Sequence, residues 1–137
     1  MSHNQLLQLY AATKREAEEL KQDYFQIKML EVAPQVYAAG QLFETDLQLI
    51  SKQGARSIIN TRPDNESEGQ PLSADLAKVA EDYGITFVHF PIESGSISQE
   101  TAEAFAKACD DLERPLIVCG RSGPLSTRIW ETAELVD

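Results

Sequence analysis

From Thr45 to Trp130, short apolar runs take turns with amphipathic segments, and no other feature narrows the fold as far. Ala55–Asn60 (ARSIIN), Ile85–Pro91 (ITFVHFP) and Leu116–Val118 have the length and β-branched content of buried strands. The segments between and after them carry apolar residues at helical spacing. One runs from Thr45 to about Gln53. A second, Leu72–Tyr83, turns Leu76, Val79, Ala80 and Tyr83 inward. A third, from about Gln99 to Leu112, turns Ala102, Phe105, Ala106 and Cys109 inward, and a fourth opens at Pro124. Thr45 and Gln48 read as a capping box, and Ser96 or Ser98 caps the third helix. Gly54 and Gly84 stand where helices stop. The order α-β-α-β-α-β-α predicts an α/β three-layer sandwich, with helices on both faces of a mostly parallel sheet. Two further short strands, Phe25–Glu31 and Gln35–Ala39, are predicted around Ala33-Pro34.

The expected organisation is an N-terminal amphipathic helix within residues 1–25 and one globular domain over 26–137. Residues 4–22 carry the stripe Leu6, Leu9, Tyr10, Ala17, Leu20, continued by Tyr24, beside a charged face. A helix packed on its own domain is the simpler reading, and an oligomer formed through that helix the sharper one. A net charge of −10 argues against nucleic-acid and anionic-membrane partners. Cys109 and Cys119 are too few for a disulfide framework, the first residues lack a signal-peptide pattern, and no run is long enough to cross a bilayer, so the cytoplasm is the expected location. His3 and His89 have no metal-ligand spacing, and neither metal nor cofactor is expected.

The chemistry concentrates in Leu116–Trp130, LIVCGRSGPLSTRIW. Strand, glycine-containing loop and helix N-terminus make an anion cradle, since unpaired N–H groups and the helix dipole both favour negative charge. Gly120 and Gly123 are expected to supply positive φ in the turn. Parallel strands bring their C-terminal ends to one sheet edge. There the loops Thr61–Gln70, Ile92–Ser96 and Cys119–Ser126 gather Arg62, Asp64, Glu66, Glu93, Ser94, Cys119, Arg121, Ser122 and Ser126. A phosphate- or sulfate-like anion is the expected ligand. The simpler readings are an Arg62-Pro63-Asp64 turn with a local ion pair, a solvated Glu93, a core Cys119, and a His89 placed in the core or on a sheet face.

VYAAGQL, SIINTRPDNE, GQP, VHFPIESGSIS and CGRSGPLSTRIW together resemble the bacterial phosphatase-like domain of beta-lactamase-hydrolase-like proteins, within the protein tyrosine and dual-specificity phosphatase superfamily. The resemblance runs from about Ile27 to Glu134. It implies a cysteine thiolate that attacks phosphorus, a loop arginine that clamps the oxyanion, and a carboxylic acid that protonates the leaving oxygen. Such loops usually read CRSGTRS before a helix containing Trp. Their short cysteine-to-arginine spacing is also similar to that of rhodanese-like sulfurtransferases.

Laid on that motif without a gap, the chain keeps Arg121, Ser122, Gly123, Ser126 and Trp130. It places Gly120 at the nucleophile, Leu125 at the arginine and Cys119 one position early. The loop Gly120, Arg121, Ser122, Gly123, Pro124, Leu125 and Ser126 would then hold an oxyanion at most, with Arg62 as an auxiliary cation. The alternative is an active phosphatase or sulfurtransferase using Cys119, with Glu93 or Asp64 as acid and Arg128 as the nearest downstream arginine. Ser94 stands where related phosphatases often have Asp. A third reading gives the N-terminal helix the function and leaves the pocket idle. The ungapped alignment carries its own test. Gly120→Cys with Leu125→Arg is expected to create phosphatase activity, measured with p-nitrophenyl phosphate.

Overall fold

The computed structural model describes residues 29–93 and 97–135. The N-terminal helix expected over 4–22 lies outside the described residues. Among the described residues nine elements follow in the order β1 (Met29–Ala33), β2 (Val36–Ala39), α1 (Glu44–Lys52), β3 (Ser57–Asn60), α2 (Ser73–Asp82), β4 (Thr86–His89), α3 (Gln99–Asp110), β5 (Leu116–Cys119) and α4 (Gly123–Glu134). They form a five-stranded sheet of order β1-β2-β5-β3-β4. Only β1 is antiparallel, to β2; the other three pairings are parallel.

Burial on both faces explains why the inner strands read as unbroken apolar runs rather than alternating ones. Every residue of β2, β3 and β5 is buried. Neighbours along each strand face opposite ways. Ile58, Ile117 and Cys119 join Leu47, Ile50, Leu76 and Ala80 in a core beneath α1 and α2. Ile59, Leu116 and Val118 join Phe105, Cys109, Ile129 and Trp130 in a second core beneath α3 and α4. The expected three-layer α/β sandwich is the observed architecture.

Helix ends follow local chemistry with two departures. The Ser98 hydroxyl accepts from the Thr101 N–H at 3.1 Å and caps α3. Gly54 and Gly84 adopt φ of 94° and 72° just past α1 and α2, a conformation that carries little strain only without a Cβ. The expected capping box at Thr45 is displaced, because Phe43 is the N-cap and the Asp46 carboxylate accepts its N–H at 2.8 Å. A carboxylate in the first turn also meets the positive end of the helix dipole, so Asp46 takes the role expected of Gln48. Tyr83, expected inward, is 39% exposed. As C-cap of α2 it lies where the helix winds down and its stripe no longer faces the sheet.

The pairing places Met29, Ala39, Cys119, Asn60 and His89 in one row across the sheet. This row is the C-terminal edge of the parallel strands, and all three loops of interest leave from it. Phe105 supports the edge from below. It is fully buried and meets Phe90 edge-on, ring centroids 5.6 Å apart. Phe105→Ala is expected to destabilise the domain by about 3–5 kcal/mol, read as a lower urea midpoint with an unchanged slope.

Candidate functional site

The loop after β5 runs from Gly120 into α4. Ser122 is the N-cap of α4. Its hydroxyl accepts from the Leu125 N–H at 3.2 Å and its carbonyl from the Ser126 N–H at 3.0 Å. Pro124 has no N–H to offer. Arg121, Ser122 and Gly123 are left as the loop's donors, with no acceptor for their N–H groups among the described residues. Gly120 and Gly123 do not take the positive φ expected of them; among the described residues that conformation falls to Gly54, Gly69, Gly84, Gln35 and Asn65. Gly120 answers a different demand, that of close approach. A Cβ there would lie 2.6 Å from Thr61 Oγ1 and 3.2 Å from Ser126 Oγ.

Both hydroxyls are held in place. Thr61 is 2% exposed, and its Oγ1 and N–H each donate to the Cys119 carbonyl at 2.8 Å. Ser126 Oγ donates to the Ala39 carbonyl at 2.8 Å. The space in front of Gly120 is therefore filled by a threonine hydroxyl on the neighbouring loop. Thr61 was not among the residues singled out from sequence. The available signal was its place directly after β3, beside the end of β5.

Cys119 does not stand at the loop mouth. It is 1% exposed, packs with the core beneath α1 and α2, and lies 3.7 Å from Asn60 Oδ1. Burial pushes its thiol from 9.0 up to about 12. Burial likewise raises Cys109 to about 12.

The loop after β3 is tied inward. Asn60 Oδ1 accepts from the Arg62 N–H at 3.1 Å, while Asn60 Nδ2 donates to Ser73 Oγ at 3.3 Å. Asp64 Oδ1 accepts from the Ser73 N–H at 2.9 Å, so this carboxylate caps the start of α2. Arg62 donates to Gln41, Glu66 and Ser67 at 2.9, 3.0 and 3.2 Å. The ion pair expected within Arg62-Pro63-Asp64 is made with Glu66 instead. His89, expected in the core or on a sheet face, is exposed, and its Nε2 meets the Arg62 carbonyl at 2.8 Å. Glu93 is exposed, and Ser94 lies outside the described residues.

Thr61, Arg62, Ile92, Arg121 and Leu125 surround a cavity of only about 10 Å³, near the minimum for one water. Leu125, half-buried, forms one wall. Arg128 lies a turn further along α4, beside Glu93, Ile97 and Thr132. The structure thus brings together Thr61, Arg62, Arg121 and Leu125. Asp64 turns to α2, and Cys119 to the core.

A fold of this order, with a strand–loop–helix cradle at the strand ends, has known relatives. The model for the phosphatase-like domain of beta-lactamase hydrolase-like proteins matches residues 25–136. The chain belongs to this family. A beta-lactamase hydrolase-like protein of Agrobacterium fabrum is 27% identical over 111 residues, 81% of this chain and 26% of the relative. The chain thus spans about a quarter of the length of the curated relatives it matches. A crystal structure of a candidate phosphatase from Neisseria meningitidis is 30% identical, covers 74% of this chain and 72% of that one, and superposes with a TM-score of 0.69. The core catalytic domain of a PP-IP phosphatase from S. cerevisiae shares the fold at 12% identity, 69% and 56% coverage and a TM-score of 0.54. The fold is shared with these phosphatases, and the family is that of the phosphatase-like domain. Within the family domain, no helix among the described residues is long and apolar enough to cross a membrane.

The buried thiols predict a pH dependence. Their folded pKa lies above the unfolded value, so the stabilising contribution is complete below about pH 9 and is lost as pH rises towards 12. Cys119→Ala is expected to flatten the fall in urea midpoint across that window. In the native protein at pH 8, both thiols should resist Ellman's reagent until denaturant is added.

Proposed function

We propose that this domain is a catalytically impaired member of the phosphatase family, a phosphatase fold retaining at most an oxyanion-binding loop. The observation that carries this reading is the contact at Gly120. The alignment puts the nucleophile there, yet the residue has no side chain, and Thr61 Oγ1 stands only 2.6 Å from where its Cβ would be. Two further observations support it. Leu125 holds the position of the clamping arginine and gives the loop an apolar wall. Cys119, the remaining cysteine, is buried with its thiol raised to about 12, far from the thiolate that attack on phosphorus requires. The same burial tells against a sulfurtransferase, which needs an accessible sulfur nucleophile. Asp64 and Glu93 are left without a leaving group to protonate.

What remains is a short row of N–H groups, Arg121 to Gly123, with the Arg121 side chain exposed beside them. Arg62 is engaged by Glu66, Gln41 and Ser67 and contributes little free positive charge. Binding of a phosphate- or sulfate-like anion would rest on backbone dipoles, which act without a bidentate clamp. The location that goes with this reading is the cytoplasm, where two unpaired cysteines stay reduced.

The wild-type domain is expected to show no turnover of p-nitrophenyl phosphate above background, since each missing catalytic part is worth about 10²–10³ or more in rate. The contact at Gly120 revises the double restoration expected from the alignment, because full turnover now calls for a third change. Gly120→Cys with Leu125→Arg leaves the new Cβ against Thr61 Oγ1, and adding Thr61→Ala removes that contact. The triple variant should therefore exceed the double variant in turnover. Wild-type turnover abolished by Cys119→Ser would overturn the proposal.

A further inference from the structure

Of the three groups that hold the Arg62 side chain, one is charged. Nη1 donates to Gln41 Oε1 at 2.9 Å and Nη2 to Ser67 Oγ at 3.2 Å, both neutral acceptors. Nε donates to Glu66 Oε1 at 3.0 Å, and this is its one ion pair among the described residues. The neutral bonds fix the guanidinium in place, while Glu66 cancels its charge. The two roles are separable. Without the carboxylate, Arg62 would keep two anchors and present a positive charge that does not titrate away.

The placing of Glu66 follows from its turn. Asn65 has a φ of 65°, a left-handed conformation that Asn tolerates better than most side chains. The Glu66 N–H donates to Gln70 Oε1 at 3.1 Å, and Gln70 Nε2 donates to the Pro63 carbonyl at 2.8 Å. The loop therefore folds back and returns the carboxylate to Arg62. The Arg62 side chain is 10% exposed and that of Glu66 25%, so Glu66 is the partner with room to swing into solvent.

Arg62, Glu66 and Arg121 all line the cavity of about 10 Å³ beside Leu125. Arg121 is the first donor of the anion loop, and its side chain has no hydrogen-bond or ion-pair partner among the described residues. A cavity of this size takes one water at most. A tetrahedral oxyanion enters only if a wall withdraws, and Glu66 is the one anionic wall among the lining residues. The carboxylate is itself an anion on the arginine, so the arrangement already displays the charge preference of the place it fills.

We propose that the Glu66 carboxylate is an internal competitor at this site: it occupies Arg62, and a phosphate- or sulfate-like ion binds between Arg62 and Arg121 only as Glu66 swings out. The proposal rests on the reading of the loop as an oxyanion binder and adds that the chain lowers the affinity of its own site.

In the full chain, titration with inorganic phosphate, followed through the amide signals of Arg121, Ser122 and Gly123, reads the affinity. Glu66→Gln is expected to bind phosphate about tenfold more tightly than wild type, the factor by which a site open about a tenth of the time is weakened. The Arg62 Nε–H signal is expected to move together with the amides. Glu68, exposed on the same loop, has no hydrogen bond or ion pair among the described residues. Glu68→Gln removes an equal charge and is expected to stay within about twofold of wild type, since solvent and salt screen a charge that does not touch the site. The remaining amide signals verify that each variant stays folded. Equal gains from both variants, an unmoved Arg62 signal, or a Glu66→Gln affinity within about twofold of wild type would overturn the competitor and leave the anion loop standing. Absence of any phosphate shift at the three amides in all three proteins would overturn the loop reading and the competitor with it.

Discussion

Two hydrogen bonds converge on the Cys119 carbonyl, one from the Thr61 N–H and one from its hydroxyl, both 2.8 Å long. Much of the site depends on this junction. It extends the β3–β5 pairing one residue past the last strand position. It also sets the Thr61 hydroxyl against Gly120, where a longer residue would need that oxygen to move. Burial makes the arrangement firm, because a hydroxyl turned away from its carbonyl here would stand unsatisfied in the core.

Charge around the loop follows the same pattern of local commitment. An arginine facing an oxyanion must have donors to spare. Arg62 has given its donors to Gln41, Glu66 and Ser67, and this fastens the loop after β3 rather than leaving a cation in reserve. Asp64 has likewise become the anchor of α2, where a carboxylate gains from unpaired N–H groups and from the helix dipole. Residues whose types suggested acid and cation chemistry thus hold the frame. Leu125 at the remaining position makes the cavity wall apolar and continuous with a groove along α4.

The architecture was legible because strands buried on both faces must be apolar throughout, and β3 and β5 are. Gly54, Gly84 and Ser98 were legible for an equally local reason, since each satisfies a helix end by itself. The shared edge followed from parallel pairing, and with it the meeting of the three loops. What could not be read turned on which of several available partners a residue takes, whether near in the chain or far. Asp46 displaced the expected cap by bonding back to Phe43. The inward turn of Cys119 follows from strand parity, which the loop motif alone does not specify. Thr61 escaped notice because its role exists only through Gly120, fifty-nine positions away in the chain.

The two outer strands have a consequence for how the molecule behaves in company. A sheet that ends on a long, flat strand invites another chain to add to it. Here β4, at one end, has four residues, and β1, at the other, shifts register between Glu31 and Ala33. Each end offers a poor template for strand addition, and the sheet is thereby guarded against growing from molecule to molecule into aggregates.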